Sequence, residues 1–147
     1  MKGNEMIERI FYQDKLLSII IRSRFETDGI EFFTPDSFSQ QLAYMKRPKN
    51  HVIAPHVHNA VPREVQYTNE VLFIKKGMVR VDYYDDDKTY IESRILKQGD
   101  VLLLADGGHG FVMLEESEII EVKQGPYTGE EDKTRFEGIR PKDCYIK

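Results

Sequence analysis

The chain has 147 residues, of which 40% are hydrophobic and 31% are charged, enough for one domain with a hydrophobic core. Its 21 Lys and Arg residues against 25 Asp and Glu residues give a net charge of -4, which argues against a nucleic-acid partner. The single cysteine, Cys144, excludes an intrachain disulfide and a Cys-based zinc site, and it fits a reducing, cytoplasmic setting.

The start of the sequence is expected to be neither a signal peptide nor a membrane anchor. Its longest apolar run, residues 16–21, is interrupted by Ser18 and stops at Arg22. A membrane span needs roughly 20 apolar residues, so we expect no membrane partner. Residues 1–13 are expected to form a short helix or an arm, because apolar residues recur in this segment at helical spacing.

Beyond this segment, short runs of β-branched and aromatic residues alternate with turn residues at intervals of about 8 to 12 residues, which predicts an all-β sandwich or barrel. The predicted strands are 16–25, 30–34, 41–46, 52–58, 70–75, 79–84, 89–96, 101–104, 110–114 and 118–123. The clearest hairpin joins two of these runs through residues 85–88. We interpret that acidic stretch as a solvated turn rather than a metal site.

From Gln124 onward the sequence is polar and interrupted by glycine and proline. This composition predicts an extended tail that lies on the barrel or on a partner subunit. The whole chain, residues 1–147, is therefore expected to be a single domain with a barrel core at 16–123 and a tail at 124–147.

Two of the four histidines lie close together in Pro55-His56-Val57-His58, at the end of a predicted strand. Alternate residues of a strand share a face and lie about 6.5 to 7 Å apart, so His56 and His58 can converge on one ion. His51 has the opposite parity and is excluded as a ligand. The alternative is that His56 and His58 are ordinary polar residues of a half-buried sheet. The His-x-His pattern alone does not decide between a metal site and this alternative.

Two stretches of the sequence resemble the motifs of the cupin superfamily, which are small β-barrels of jelly-roll type. The His-x-His of the first motif matches residues 55–58, and its Glu followed by Gly matches residues 70–77. The Gly-Asp turn, apolar strand and His-containing turn of the second motif match residues 99–111. The resemblance implies a cupin-type barrel that binds one divalent transition metal, Fe, Mn, Ni, Cu or Zn. The ligands that it implies are His56, His58, Glu70 and His109.

The loop 59–69, which separates His58 from Glu70, is longer than is usual in the family. Glu64 is therefore a rival ligand, because it stands at nearly the usual distance from His58. We prefer Glu70, because it opens a predicted strand and keeps the family's spacing to Gly77. The same loop is predicted to be a rim that selects the ligand, and a tolerated surface insertion is the alternative.

The candidate substrate-binding residues are polar and stand near the implied metal ligands in the sequence: Arg63, Gln66, Tyr67 and Asp106. An arginine at this place can pair with a phosphate or carboxylate of a ligand, although ordinary solvated arginines are more common. Catalytic residues are not assigned.

Three functions are compatible with this sequence: a metal-dependent enzyme acting on a small polar molecule, a non-catalytic small-molecule or sugar-binding module, and a structural role. The stretch Val-Lys-Gln-Gly-Pro-Tyr after the last predicted strand resembles small cupins of bacterial surface-polysaccharide and nucleotide-sugar pathways. That resemblance favours a carbohydrate-type ligand and, if the protein is an enzyme, an isomerase, an epimerase or an oxidoreductase. Oxygen-dependent oxidation of a small acid or thiol is the alternative. The family resemblance also suggests a homodimer, since many short strands leave edges to cover.

Overall fold

The computed structural model describes residues 6–147, which divide into two compact units. One unit takes Met1–Phe25, described from Met6 onward, together with Thr68–Lys147, and the other takes Glu26–Tyr67. Strands dominate the described residues, in which the helical structure is a short 3-10 turn at Pro141–Asp143. Across residues 6–147 no helix has the length and apolar character needed to cross a membrane.

The strands of this part of the chain pair only in antiparallel ladders. In chain order they are β1 (Ile7–Tyr12), β2 (Lys15–Ile21), β3 (Gly29–Phe32), β4 (Ala43–Lys46), β5 (Glu70–Lys76), β6 (Met78–Tyr84), β7 (Tyr90–Lys97), β8 (Val101–Leu104), β9 (Gly108–Met113) and β10 (Glu118–Lys123).

The larger unit contains a five-stranded sheet, in the order β1-β2-β8-β5-β10, and a three-stranded sheet, in the order β7-β6-β9. The smaller unit contains the two-stranded sheet β3-β4. The all-β prediction is therefore confirmed. The ladders of residues 6–147 form these separate sheets rather than one closed barrel, so the cupin-type jelly roll stays a proposal.

The core of the larger unit draws on both of its sheets. In β5, β6 and β8 the core side chains stand at alternate positions, which places every second residue on the inner face. The core residues are Ile10, Leu17, Ile20, Leu72, Ile74, Val79, Val81, Tyr83, Leu96, Leu102 and Leu104. The hydroxyl of Tyr83 donates a hydrogen bond to Ser18 Oγ at 2.9 Å, which satisfies both polar groups inside the core.

Gly77 connects β5 to β6 and packs closely against the turn that precedes β10. Its φ of 90° lies in the left-handed region that favours glycine. A Cβ atom at this position would meet the Ser117 hydroxyl and would lie 2.5 Å from the carbonyl oxygen of Glu116. The turn therefore has room only for glycine.

The prediction of a helix or arm at residues 1–13 is wrong for the residues that the structure describes, and residues 1–5 lie outside them. Strand β1 pairs antiparallel with β2, with Ile7 opposite Ile21, and its ladder shifts at a bulge between Ile10 and Phe11. Ile10 is buried while Phe11 is 55% exposed, because neighbouring residues of a strand face opposite sides of the sheet. The apolar spacing that suggested a helix therefore reflects a strand that carries apolar residues on both faces.

The predicted strand 52–58 is also wrong, because residues 51–66 form no regular secondary structure. Proline cannot donate a hydrogen bond to a ladder; Pro55 and Pro62 lie within this stretch, and Pro48 lies just before it. The predicted strand 16–25 ends earlier than expected, at Ile21. Arg22, the next residue, donates a hydrogen bond from Nη1 to Asp100 Oδ2 at 2.9 Å.

The tail from Gln124 is not extended throughout, because it contains turns at 129–132 and the 3-10 turn at Pro141–Asp143. Its final part lies against β7. The Ser93 amide donates to the carbonyl oxygen of Tyr145 at 2.8 Å, and the Lys147 amide donates to the carbonyl oxygen of Ser93 at 3.1 Å. Ser93 and Ile146 form a parallel bridge. The tail therefore adds backbone hydrogen bonds to a strand of its own unit.

A chain of ion pairs links the tail to the first strand. Its members alternate in charge, and each contacts the next: Lys147, Glu92, Arg94, Glu8, Arg22 and Asp100. Among the carboxylates of these ion pairs, Glu92 and Asp100 are the most buried, with side chains 5% and 4% exposed. Buried charges need such partners, because removing a carboxylate from water is costly.

Candidate functional site

Glu70 and His109 come from different sheets of the larger unit and turn to the same interior. Glu70 opens β5 and shares a face with Leu72 and Ile74, which belong to the core. His109 lies on β9 directly opposite Tyr83, another core residue. The alternation of the two strands therefore aims both polar side chains inward.

The two side chains are in contact. His109 Nε2 lies 3.2 Å from Glu70 Oε2, and the two side chains are 29% and 10% exposed. The hydrogen bond from His109 is the main cause that lowers the pKa of Glu70, although burial opposes it. Glu70 is therefore a carboxylate, rather than a carboxylic acid, at neutral pH.

Lys123 is the third polar group of this site, and it is not among the residues predicted from the sequence. It stands directly opposite Glu70 in the β5–β10 ladder. Its Nζ atom lies 3.5 Å from Glu70 Oε1 and 3.7 Å from Glu121 Oε1. The negative charge of Glu70 raises the pKa of Lys123. The sequence could have indicated that Lys123 lies beside Glu70 only if the pairing of β10 with β5 were already known.

An aromatic ring borders the polar groups. Phe111 shares the inner face of β9 with His109, and the two ring centroids are 5.6 Å apart. Phe111 also packs against the core, as the parity of β9 predicts. Met113 follows on the same face and is 49% exposed. The site of the larger unit therefore combines a carboxylate, an imidazole and an ammonium group with apolar neighbours.

His56 and His58 belong to the smaller unit, on the stretch without regular structure. Their ring centroids are 5.2 Å apart with the rings nearly perpendicular, so the two imidazoles share one side of the chain. His56 Nδ1 lies 2.9 Å from the carbonyl oxygen of Ala54. Both residues are exposed, as is His51.

The loop residues predicted to bind substrate are exposed. Gln66 Nε2 donates to Glu64 Oε1 at 3.1 Å, so the rival ligand already has a partner within the loop. Tyr67 is 75% exposed, and Arg63 is exposed as well. Asp106 lies in the larger unit, where its Oδ1 accepts a hydrogen bond from the Gly107 amide at 2.7 Å. Substrate binding by these residues stays a prediction.

Within each unit, the described residues contain no group of three or more His, Cys, Asp or Glu side chains that could hold a metal ion. The four implied ligands divide between the units, two in each. The pair in the larger unit, a carboxylate touching an imidazole, can bind a cation or pass a proton.

Comparisons with known families, proteins and structures found no relative of this chain. The chain matches no family model, and no curated protein or solved structure was found to match it. The resemblance to cupins therefore stays an expectation, and the case for a function depends on the geometry of Glu70, His109 and Lys123.

Proposed function

We propose that Glu70 and His109 are two ligands of a divalent transition metal in a cupin-type jelly roll that binds a small polar molecule of carbohydrate type. The observation that carries the proposal is the 3.2 Å separation of Glu70 Oε2 and His109 Nε2. Imidazole nitrogens and carboxylate oxygens lie about 2.0 to 2.2 Å from a bound zinc ion, so two such donors at roughly a right angle are about 3 Å apart. The pair therefore fits as neighbouring ligands.

The chemistry of the two donors also fits. A neutral imidazole and an ionised carboxylate suit Fe, Mn, Ni, Cu and Zn, and the lowered pKa of Glu70 keeps its carboxylate ionised. A bound ion would supply Lewis-acid chemistry to a carbonyl or hydroxyl group of the ligand. We propose His56 and His58, implied by the motif, as further ligands, and the experiment below tests each of them separately.

The neighbours of the pair support a small polar ligand. Phe111 offers an aromatic face, Lys123 an ammonium group and Glu121 a carboxylate, and all three lie on the inner faces of β9 and β10. Small-molecule sites commonly combine apolar walls with a few polar groups that fix orientation. Hydroxyl groups of a sugar would find both donors and acceptors here, which suits an isomerase or epimerase of such a molecule.

A second candidate function is a binding module that works without a metal. The contact of Lys123 with Glu70 favours it, because an ammonium group already balances the charge of the carboxylate. In this case His109 and Lys123 would be hydrogen-bond donors toward the ligand.

Metal binding separates the two candidates. Metal-free protein is titrated with Mn, Fe, Ni, Cu and Zn salts by calorimetry, and the bound metal is counted after dialysis. We expect one equivalent per chain in the wild type and an affinity at least about tenfold weaker in Glu70→Gln and His109→Ala, since each variant loses a donor. His56→Ala and His58→Ala should weaken it as well, and His51→Ala is the matched control that leaves it unchanged.

The outcomes decide between the candidates. Unchanged affinity in Glu70→Gln or His109→Ala would refute their assignment as ligands. Wild-type protein that binds no metal but is stabilised by sugar nucleotides in a thermal-shift screen would establish the binding module. Turnover of a bound sugar nucleotide by the metal-loaded protein would establish an enzyme.

A further inference from the structure

Strand β10 forms an open edge of the five-stranded sheet, and its outer face is apolar. Within residues 6–147 it pairs with β5 on one side and with no strand on the other. Ile120 and Val122 point to the outer face and are 53% and 59% exposed, next to Phe73 of β5 at 38%. An open edge that carries apolar residues is a site for pairing with another strand.

The direction of the free backbone groups follows from the ladder. The Gln124 amide donates to the carbonyl oxygen of Asn69 on the β5 side at 3.0 Å. Directions alternate along an antiparallel strand, so Val122 and Ile120 also bond toward β5. The amide and carbonyl groups of Glu121 and Lys123 therefore point away from the sheet, toward the open edge.

We propose that this edge pairs antiparallel with β10 of a second copy of the chain, in the register centred on Val122. In this register Glu121 lies opposite the partner's Lys123, and the twofold axis repeats the pair. Their outward-pointing backbone groups face each other across the edge, as in a hydrogen-bonded pair.

Charge selects this register from its neighbours. A shift one way along the strand places Glu121 opposite the partner's Glu121, and a shift the other way places two Lys123 side chains together. Like charges directly opposite each other destabilise a ladder, whereas opposite charges stabilise it. The strand is thus complementary to itself, which identifies a second copy as its occupant. Val122 would meet the partner's Val122, extending the apolar stripe of Phe73 and Ile120 across the axis.

Charge reversal tests the pairing in sedimentation velocity. We expect wild-type protein to dimerise in the micromolar range, and Glu121→Lys to weaken dimerisation about tenfold or more, because it places like charges opposite each other twice. Glu121→Gln is the matched control: it removes the attraction without adding a repulsion, so it should weaken dimerisation less, and neither variant replaces a member of the Lys123–Glu70 pair. A wild-type chain that stays monomeric at 100-fold higher concentration would overturn the proposal, as would a Glu121→Lys variant that dimerises as the wild type does.

Disulfide trapping tests the register without altering any charge. In the Cys144→Ser background, Val122→Cys places two thiols opposite each other, about 4.5 Å apart between Cα atoms, within the range that a disulfide spans. Ile120→Cys is the matched control, because its Cα atoms would be about 13 Å apart in the same register. Mild oxidation should link the first variant and leave the second unlinked. Equal linking of both, or of neither, would overturn the register.

Discussion

Glu70 is placed between an imidazole and an ammonium group, and this arrangement governs its ionisation. His109 and Lys123 contact different oxygens of the same carboxylate, at 3.2 and 3.5 Å. Both contacts favour the charged form, and they outweigh the burial that opposes it, so the pKa of Glu70 falls below its ordinary value. The same contacts link β5 to β9 and β10, so the ionisation of Glu70 is coupled to the stability of the fold.

The sign of this coupling predicts how stability depends on pH. A carboxylate whose pKa is lower in the folded than in the unfolded protein stabilises the fold above the unfolded value of 4.5, and the contribution is lost as the pH falls through the folded value. We expect Glu70→Gln to be about 1 kcal/mol less stable than wild type at pH 7 and equally stable in strong acid. Urea unfolding at both pH values measures the difference.

The direct measurement is the NMR titration of the Glu70 carboxyl carbon. Its midpoint should lie below 4.5 in the wild type and rise in His109→Ala, because the largest stabilising contact is then removed. A wild-type midpoint at or above 4.5 would contradict this account.

The sequence predicts part of this residue-scale picture. The strand parity of Glu70 and of His109 is local information, and it correctly places each side chain on an inner face. Lys123 could not be predicted, because its position beside Glu70 requires the pairing of β5 with β10, two strands far apart in the chain. Non-local pairing is not encoded in the pattern of a single strand.

The turn between β6 and β7 is closed by side-chain hydrogen bonds that its acidic sequence alone does not specify. The carboxylate of Asp85 accepts hydrogen bonds from the amides of Asp87 and Thr89, both at 2.9 Å, and closes the turn. The prediction of an acidic solvated turn is confirmed in this geometry. Lys88 has a φ of 68°, a left-handed conformation that costs energy for any residue with a Cβ atom.

We therefore expect Lys88→Gly to stabilise the protein by about 0.5 to 1 kcal/mol, because glycine adopts this conformation without steric cost. Lys88→Ala is the matched control: it removes the same side chain but keeps the Cβ atom, so it should give no gain. Urea unfolding of the three proteins is the measurement, and equal stabilisation by alanine would show that the side chain, rather than the backbone, was responsible.

The strand bounds show where local patterns suffice. The predictions 101–104 and 118–123 match β8, which is an apolar run, and β10, in which β-branched residues alternate with charged ones near the end of the strand. Residues 52–58 carry a similar apolar pattern, yet Pro55 lacks the amide that a ladder needs and the stretch stays irregular. Strand β1 was missed because it carries apolar residues on both faces, with Ile10 buried and Phe11 exposed, and this hides the alternation typical of a strand.

At the scale of the larger unit, the tail and the ion pairs join distant parts of the chain. Lys147 contacts Glu92, and Arg94 carries the contact on to Glu8 of the first strand. The tail also contacts the outer side of β6 and β7, where the Ile139 amide donates to the Tyr84 hydroxyl at 2.8 Å. These contacts make the tail part of the folded unit.

We expect removal of residues 144–147 to lower the free energy of unfolding by about 2 to 3 kcal/mol. The truncated chain loses the backbone bonds to Ser93 and leaves the buried Glu92 without one of its two cations. Lys147→Met, which removes only the ion pair, should lose about half as much. Denaturant unfolding of the three chains measures this, and a truncated chain as stable as the full one would show that the tail contributes nothing.

The close packing of Gly77 has a consequence for sequence variation. Gly77 packs against Ser117. These two residues come directly next to Lys76 and Glu118, which face each other in the β5–β10 ladder, so Gly77 helps to set how β10 is aligned along β5. That alignment brings Lys123 opposite Glu70, at the far end of the same two strands. A lineage that preserves the carboxylate and its ammonium partner must therefore also preserve a residue without a side chain at position 77, although that residue touches neither of them.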